Sequence, residues 1–369
     1  MEQLTHQFRI SQDENNLNAQ VKNSKITTKS NIPVRRGALT NVTNTKLNTS
    51  TQDQLNKKPI EIEVTTQEDE RSTIKRNASH NELNQVSDQK RSKVKEYERD
   101  DLDKEDINDP YMVSEYTTEI YEYLHELELK TLPTPDYLSS QTYIRANMRD
   151  QLVDWMCEVH NRFRLLPETL FIAINLVDRF LSREVVQVSK LQLLGSSSLF
   201  IASKYEEIYS PSVSNFAHES GDDIESVLSA ETFILEVLDF NLSYPNPLNF
   251  LRRISKADQY DLDTRTVAKY FLEISIMDEK FIGIRPSLCA AAAMYLSRKI
   301  FEKDEWNGNL IYYSGEIFED EILPVVQLIL NYLVGPVKHE EFFKKYAARK
   351  FLKASVRTRQ WAKSLMRSS

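Results

Sequence analysis

The chain has 369 residues, of which 28% are charged and 10% aromatic, and its formal net charge is −8. That length accommodates two or three domains. With only seven glycines and two cysteines, it carries neither a phosphate-binding glycine loop nor a disulfide framework. It also lacks a Gly-x-Ser-x-Gly elbow, and no apolar run reaches the roughly 18 residues a membrane span needs.

Aromatic residues are unevenly spread: only Phe8 and Tyr97 fall in the first 100 positions. A stretch so poor in apolar area cannot offset its conformational entropy, so residues 1–108 read as a disordered regulatory tail. Residues 1–100 hold 17 Lys+Arg and 14 Asp+Glu, a net of +3, which leaves −11 on residues 101–369. So acidic a body is a poor binder of phosphate backbones, and neither nucleic acid nor membrane is expected as a partner. Two short patterns stand out in the tail. One is Arg36, Leu39 and Asn44 in an Arg-x-x-Leu-x-x-x-x-Asn arrangement. The other is Lys75-Arg76 followed, after thirteen residues, by Lys90, Arg91, Lys93 and Lys95. Its spacing suits a bipartite nuclear import signal, with a solvated charge run as the plain alternative.

Order is expected from Asp109-Pro110, an N-cap and a first-turn proline. Met112, Tyr116, Ile120, Leu124 and Leu127 then form a helical stripe that Pro133 and Pro135 terminate, giving a lone helix and linker over 109–140. Met148 to Trp155 opens the main body. Met148, Leu152, Trp155, Met156 and Val159 make one apolar stripe, with Arg149 and Asp154 set inside it. Two readings fit: an ordinary core helix, or a helix with one face buried and another offered to partners. Further helices are expected at about 168–181, 190–208 and 223–239, the middle one apolar or small all round and therefore buried on most sides. Leu288 to Arg298 mirrors Leu194 to Lys204, each a run of small residues ending in Ser and a base. That repeat predicts two copies of a helical domain, over 141–242 and 245–365, in an all-α protein.

Catalytic chemistry is not visible. Cys157 and His160 form one Cys-x-x-His pair with no second pair, so packing is favoured over zinc. With no signal peptide, Cys157 and Cys289 read as reduced, intracellular core cysteines. Glu206 and Glu207 at a helix end beside Lys204 read as surface charge. No metal, cofactor or enzymatic activity is expected; the pattern is that of an interaction protein.

In several stretches the residues resemble the cyclins, and within them the mitotic (G2/M) B-type group of fungal kind. Met148-Arg149-Asp150-Gln151-Leu152-Val153-Asp154-Trp155 is similar to that family's opening helix. Lys190 to Leu193 and Ala202-Ser203-Lys204-Tyr205-Glu206-Glu207 are similar to its third helix, and Phe250 to Asp258 to the B-type start of its second domain. The resemblance runs in order from about 109 to 365. It implies two tandem five-helix cyclin boxes preceded by an N-terminal helix and the tail. It also implies a non-enzymatic regulatory subunit that binds and activates a cyclin-dependent Ser/Thr kinase at G2/M, recruits its substrates and is degraded at mitotic exit. A cyclin-fold general transcription factor binding DNA is the alternative, disfavoured by the acidic body.

Carried over residue by residue, the resemblance implies kinase contacts at Lys204, Tyr205, Glu206, Glu231, Phe240, Tyr116 and Ile120. Lys204 also sits where a cation favours a helix C-terminus, so plain capping is the alternative reading. A substrate-docking patch for short motifs is implied at Met148, Gln151, Leu152, Trp155, Glu158, Leu191 and Gln192, where polar Gln151 departs from the common aliphatic residue. Met148, Leu152, Trp155 and Glu158 are expected to face outward. Arg253, Arg265 and Lys269 match a phosphate pocket, and Arg149 with Asp178 a structural pair. The Arg36/Leu39/Asn44 pattern is similar to a destruction box read by the ubiquitin ligase of mitotic exit. Residence in nucleus and cytoplasm follows from the import signal.

Overall fold

A computed structural model describes residues 97–368. The destruction-box and import residues, Arg36, Leu39, Asn44, Lys75, Arg76, Lys90, Arg91, Lys93 and Lys95, lie outside the described residues. Among those described, every regular element is a helix.

A helix α1 (Thr117–Lys130) precedes two sets of five. The first set is α2 (Ala146–Phe163), α3 (Pro167–Leu181), α4 (Val188–Glu206), α5 (Val213–Ser220) and α6 (Ile224–Val237). The second is α7 (Pro247–Ala257), α8 (Leu262–Met277), α9 (Pro286–Ile300), α10 (Gly308–Tyr313) and α11 (Glu319–Val334). Two more, α12 (Glu340–Ala347) and α13 (Ala354–Ser368), pack back onto the body.

The repeat seen in the sequence is the pair of central helices. α4 packs against α2, α3, α5 and α6, and α9 against α7, α8 and α11. Both can be surrounded because their residues are small. A Cβ on Gly195 of α4 would lie 2.8 Å from Leu152 Cδ1, so glycine lets α2 approach closely. In α9, Ala290 to Ala293 are all fully buried.

The entry to the body differs from expectation. The helix begins at Thr117, not at Asp109-Pro110. The Asp109 carboxylate instead accepts the Tyr111 amide at 3.0 Å in a tight local turn, and Val113 adopts a left-handed conformation (φ 49°) that interrupts any helix there. The ordered chain also starts earlier, since residues 97–108, expected within the tail, are docked on the second box. Asp103 binds Arg253, Asp100 exchanges hydrogen bonds with Asn309, and the Leu102 amide donates to the Tyr313 hydroxyl at 2.7 Å.

The stripe expected to dock α1 is buried only at its C-terminal end. Leu124 and Leu127 are half-buried, with Leu124 packed on the core, but Met112, Tyr116 and Ile120 are exposed, and Tyr121, His125 and Glu128 also turn inward. Tyr121 and His125 pack on Phe250, and Tyr121 donates to the Asn249 carbonyl. A period-based reading favours aliphatic over aromatic and charged positions, and here the polar ones are buried because each finds a partner.

Candidate functional site: helix-end charges and three surface clusters

The two charged residues set inside the opening stripe are where the boxes meet. Arg149 is fully buried and holds Asp178 with two parallel hydrogen bonds of 2.7 Å. Its remaining N–H groups donate to the carbonyls of Ile276 and Met277, at 3.0 and 2.9 Å. Those are the last two residues of α8, so Arg149 places a cation on a helix C-terminus in the second box. Tyr137 completes the cluster, its hydroxyl donating to Asp178 Oδ1 at 2.8 Å.

Asp154 does the converse. Its two oxygens accept the amides of Glu341 and Phe342, at 3.2 and 3.0 Å, in the first turn of α12. His339, the residue before that helix, supplies no cap of its own. Glu128 of α1 likewise accepts the Ser287 amide and hydroxyl at the start of α9, behind an Arg285 that cannot cap. Glu207, expected as surface charge, accepts the Leu166 amide and the Thr169 hydroxyl at 2.6 Å where α3 begins. These partners escaped sequence reasoning because each lies more than 35 residues from the helix end it serves.

The first surface cluster lies at the C-terminal ends of α4 and α6. Lys204 is ion-paired to Glu231, and its ammonium sits 4.1 Å above the Phe200 ring. Tyr205 beside it is exposed, and Glu206 is half-buried with a pKa raised by desolvation and then by the nearby Glu168 and Glu207 charges. Phe240 is 66% exposed at a turn in which Asp239 and Phe240 both have positive φ. Tyr116, the residue before α1, and Ile120 in its first turn are exposed. The end of α1 is stitched to the chain after α6: Asn175 donates to the Thr131 carbonyl, and Arg179 one turn on donates to the Asn241 carbonyl. Sequence reasoning missed Ile208 and Tyr209, 89% and 90% exposed just beyond α4, and Tyr123 on α1. Adjacent apolar residues past a helix end were the available signal.

The second cluster is the expected docking patch, and it departs from expectation. Leu152 and Leu191 are buried, at 5% and 7% exposure, because α2 and α4 close over the Gly195 contact. Leu152 therefore does not face outward. Both leucines form the floor of a shallow surface on which Met148 and Trp155 are half-buried and Gln151 and Gln192 exposed. Glu158 is half-buried and pairs at 2.5 Å with Arg162, whose other nitrogen reaches Glu219.

The third is the basic cluster on α7 and α8. Lys269 has a lowered pKa, through desolvation of its ammonium and then through the Arg265 charge, with Glu168 opposing and Arg252 adding a smaller lowering. Arg265 lies one turn before Lys269 on α8, and Arg252 is exposed on α7, which packs against α8. Arg253, the residue expected there, is turned away: its guanidinium is bound by both oxygens of Asp103 and lies 4.3 Å over the Tyr313 ring. Adjacent residues on a helix point about 100° apart, so only one of Arg252 and Arg253 can serve the cluster.

A cleft of about 700 Å³ between α4 and α6, floored by Phe180, Leu193, Leu194 and Ile234, contains none of the expected site residues. Among the described residues no His, Cys, Asp or Glu group has metal-binding geometry, and no helix is long and apolar enough to cross a membrane. Cys157 accepts a hydrogen bond from Asn161 at 3.6 Å, and burial pushes its thiol up to about 12.

Comparison with known proteins agrees with this architecture. The model of the cyclin N-terminal domain matches residues 119–243 and that of the cyclin C-terminal domain residues 245–360. The chain is 57% identical over 269 residues to the G2/mitotic-specific cyclin-2 of Saccharomyces cerevisiae, covering 72% of this chain and 55% of that protein. It is 56% identical over 266 residues to the G2/mitotic-specific cyclin cdc13 of Schizosaccharomyces pombe, with 72% and 55% covered. It therefore spans about half the length of these relatives. Among solved structures, a viral cyclin from herpesvirus saimiri superposes with a TM-score of 0.51 at 20% identity, covering 60% of this chain and 99% of that one, a likeness of fold.

Proposed function

The chain belongs to the cyclin family, and on that premise we propose that it binds and activates a cyclin-dependent Ser/Thr kinase at G2/M. The observation that carries this reading is the Lys204–Glu231 pair joining α4 to α6, with Tyr205, Ile208 and Tyr209 exposed next in sequence and Phe240 exposed just past the end of α6. A kinase needs its β3 Lys and αC Glu brought together and its activation loop moved aside. A rigid helical surface that binds the active arrangement better than the inactive one shifts that population, without chemistry of its own. Lys204 supplies a charge on the partner's side, the tyrosines and Phe240 supply apolar area, and Tyr116, Ile120 and Glu206 extend the surface.

Four further roles accompany this one. The surface of Met148, Gln151, Trp155, Glu158 and Gln192, with Leu152 and Leu191 as its floor, recruits substrates through short apolar motifs and so raises their local concentration. Arg252, Arg265 and Lys269 attract a phosphate group on a substrate or partner. The Arg36, Leu39 and Asn44 pattern is a destruction box for the ubiquitin ligase of mitotic exit. The two basic clusters of the tail direct import, which gives residence in nucleus and cytoplasm.

Recovery of the protein from dividing cells tests the central reading. A co-purifying cyclin-dependent kinase active on histone is expected. Salt-sensitive DNA binding with no kinase would overturn it and favour a transcription-factor role.

A further inference from the structure

We infer that Asp103 is a positioning residue for partner binding: by clamping Arg253 beside Tyr121 it fixes the N-terminal end of α1, which carries Tyr116 and Ile120. The inference rests on the proposed kinase-binding surface.

α1 is held unevenly. From Tyr121 onward it has strong ties: Glu128 to Ser287, His125 on Phe250, and Tyr121 on Phe250 and the Asn249 carbonyl. The first turn, Thr117 to Ile120, has none of this kind among the described residues. The helical turn Ser114–Tyr116 contains no buried residue, and Glu128 is the one buried residue of α1 itself. That exposed end leans on the preceding turn Leu102–Asp106, which packs against Ser114–Tyr116.

The turn Leu102–Asp106 is in turn fixed by charge. Both Asp103 oxygens bind Arg253, and one also accepts from Lys256 at 3.0 Å, while Asp106 binds Lys256 from the other side. These groups are mostly buried: side-chain exposures are 12% for Arg253, 6% for Lys256 and 21% for Asp103. Burial alone would raise the Asp103 pKa, but the hydrogen bonds from Arg253 and Lys256 hold it below the usual carboxylate range. The Arg253 guanidinium lies 5.1 Å over the Tyr121 ring and 4.3 Å over Tyr313. One arginine thus joins the incoming segment, α1 and the second box, and Asp103 sets its position. Without that carboxylate, Arg253 would be left half-buried and uncompensated and would reorient towards water. The turn beneath Tyr116 would loosen with it.

Amide hydrogen exchange of the full chain, with and without its kinase, tests this. Asp103→Asn should speed exchange over residues 114–123 by about tenfold and weaken kinase binding by about tenfold, one factor of ten in an equilibrium constant each. Asn309→Ala, which removes a contact of the same segment that does not reach Arg253, should change neither. In a double-mutant cycle, Asp103→Asn and Ile120→Ala should be non-additive for kinase affinity. Unchanged exchange in Asp103→Asn, an equal effect from Asn309→Ala, or strict additivity would overturn the assignment. If exchange responds as expected while the wild-type protein binds no kinase, the fault lies in the functional reading and not in the clamp.

Discussion

His160 shows how a single buried ring ties stability to pH. One ring nitrogen meets the Leu166 carbonyl at 2.8 Å, and Nδ1 is buried with no hydrogen-bond partner among the described residues. Burial, and then the Lys345 charge, lower its pKa below 6.5. The unfolded chain therefore binds a proton that the folded chain refuses between that lowered value and 6.5, so stability falls as pH drops through this window and is fully present above it. Melting temperature should decline from pH 7 to about 5.5, and His160→Gln should flatten that decline. An identical slope in the variant would place the titrating group elsewhere. The same scale shows what a sequence reading can and cannot see. The pairing of Arg149 with Asp178 was legible from the family resemblance. Its bonds to Ile276 and Met277 were not, since they lie 127 and 128 residues away and follow no local spacing. Arg253 was misassigned for a related reason: neighbouring arginines look alike in sequence, and only the remote Asp103 decides which of them is occupied.

At the level of elements, four helix ends are completed by side chains from elsewhere, whereas α6, α7, α8 and α10 start on their own caps, Asp223, Asn246, Asp261 and Asn307. Asp154 serves α12, Glu128 serves α9, Glu207 serves α3 and Arg149 serves α8. Each contact satisfies backbone groups that the helix itself leaves open and places the charge its dipole favours. Asp154→Ala should cost about 1–2 kcal/mol, as for other lost caps. Asp178→Ala should cost about 3–5 kcal/mol, because it strands a buried guanidinium. Urea denaturation of both variants checks the order, and equal losses would contradict it. The positions of α2 and α3 were readable from their periodic apolar faces, and those of α4 and α9 from the repeated run of small and apolar residues, buried on most sides. The start of α1 was not, since Asp109-Pro110 is as good a turn as it is a helix start.

For the whole molecule, these contacts make one body of two cyclin boxes and display the proposed partner-facing residues at its surface. Arg149 and Asp154 read as anomalies in a stripe, yet they hold the boxes together, while the surface proposed for the partner draws on α4, α6 and α1. The measurement that bears most directly on the proposed function is activation of a purified cyclin-dependent kinase titrated with this chain, wild type against Lys204→Ala/Glu231→Ala. The account predicts saturable activation by the wild type. It predicts at least about tenfold weaker activation by the double variant, at unchanged melting temperature, as expected when a central charged contact is truncated. Equal activation by the two proteins, or none by the wild type, would contradict it.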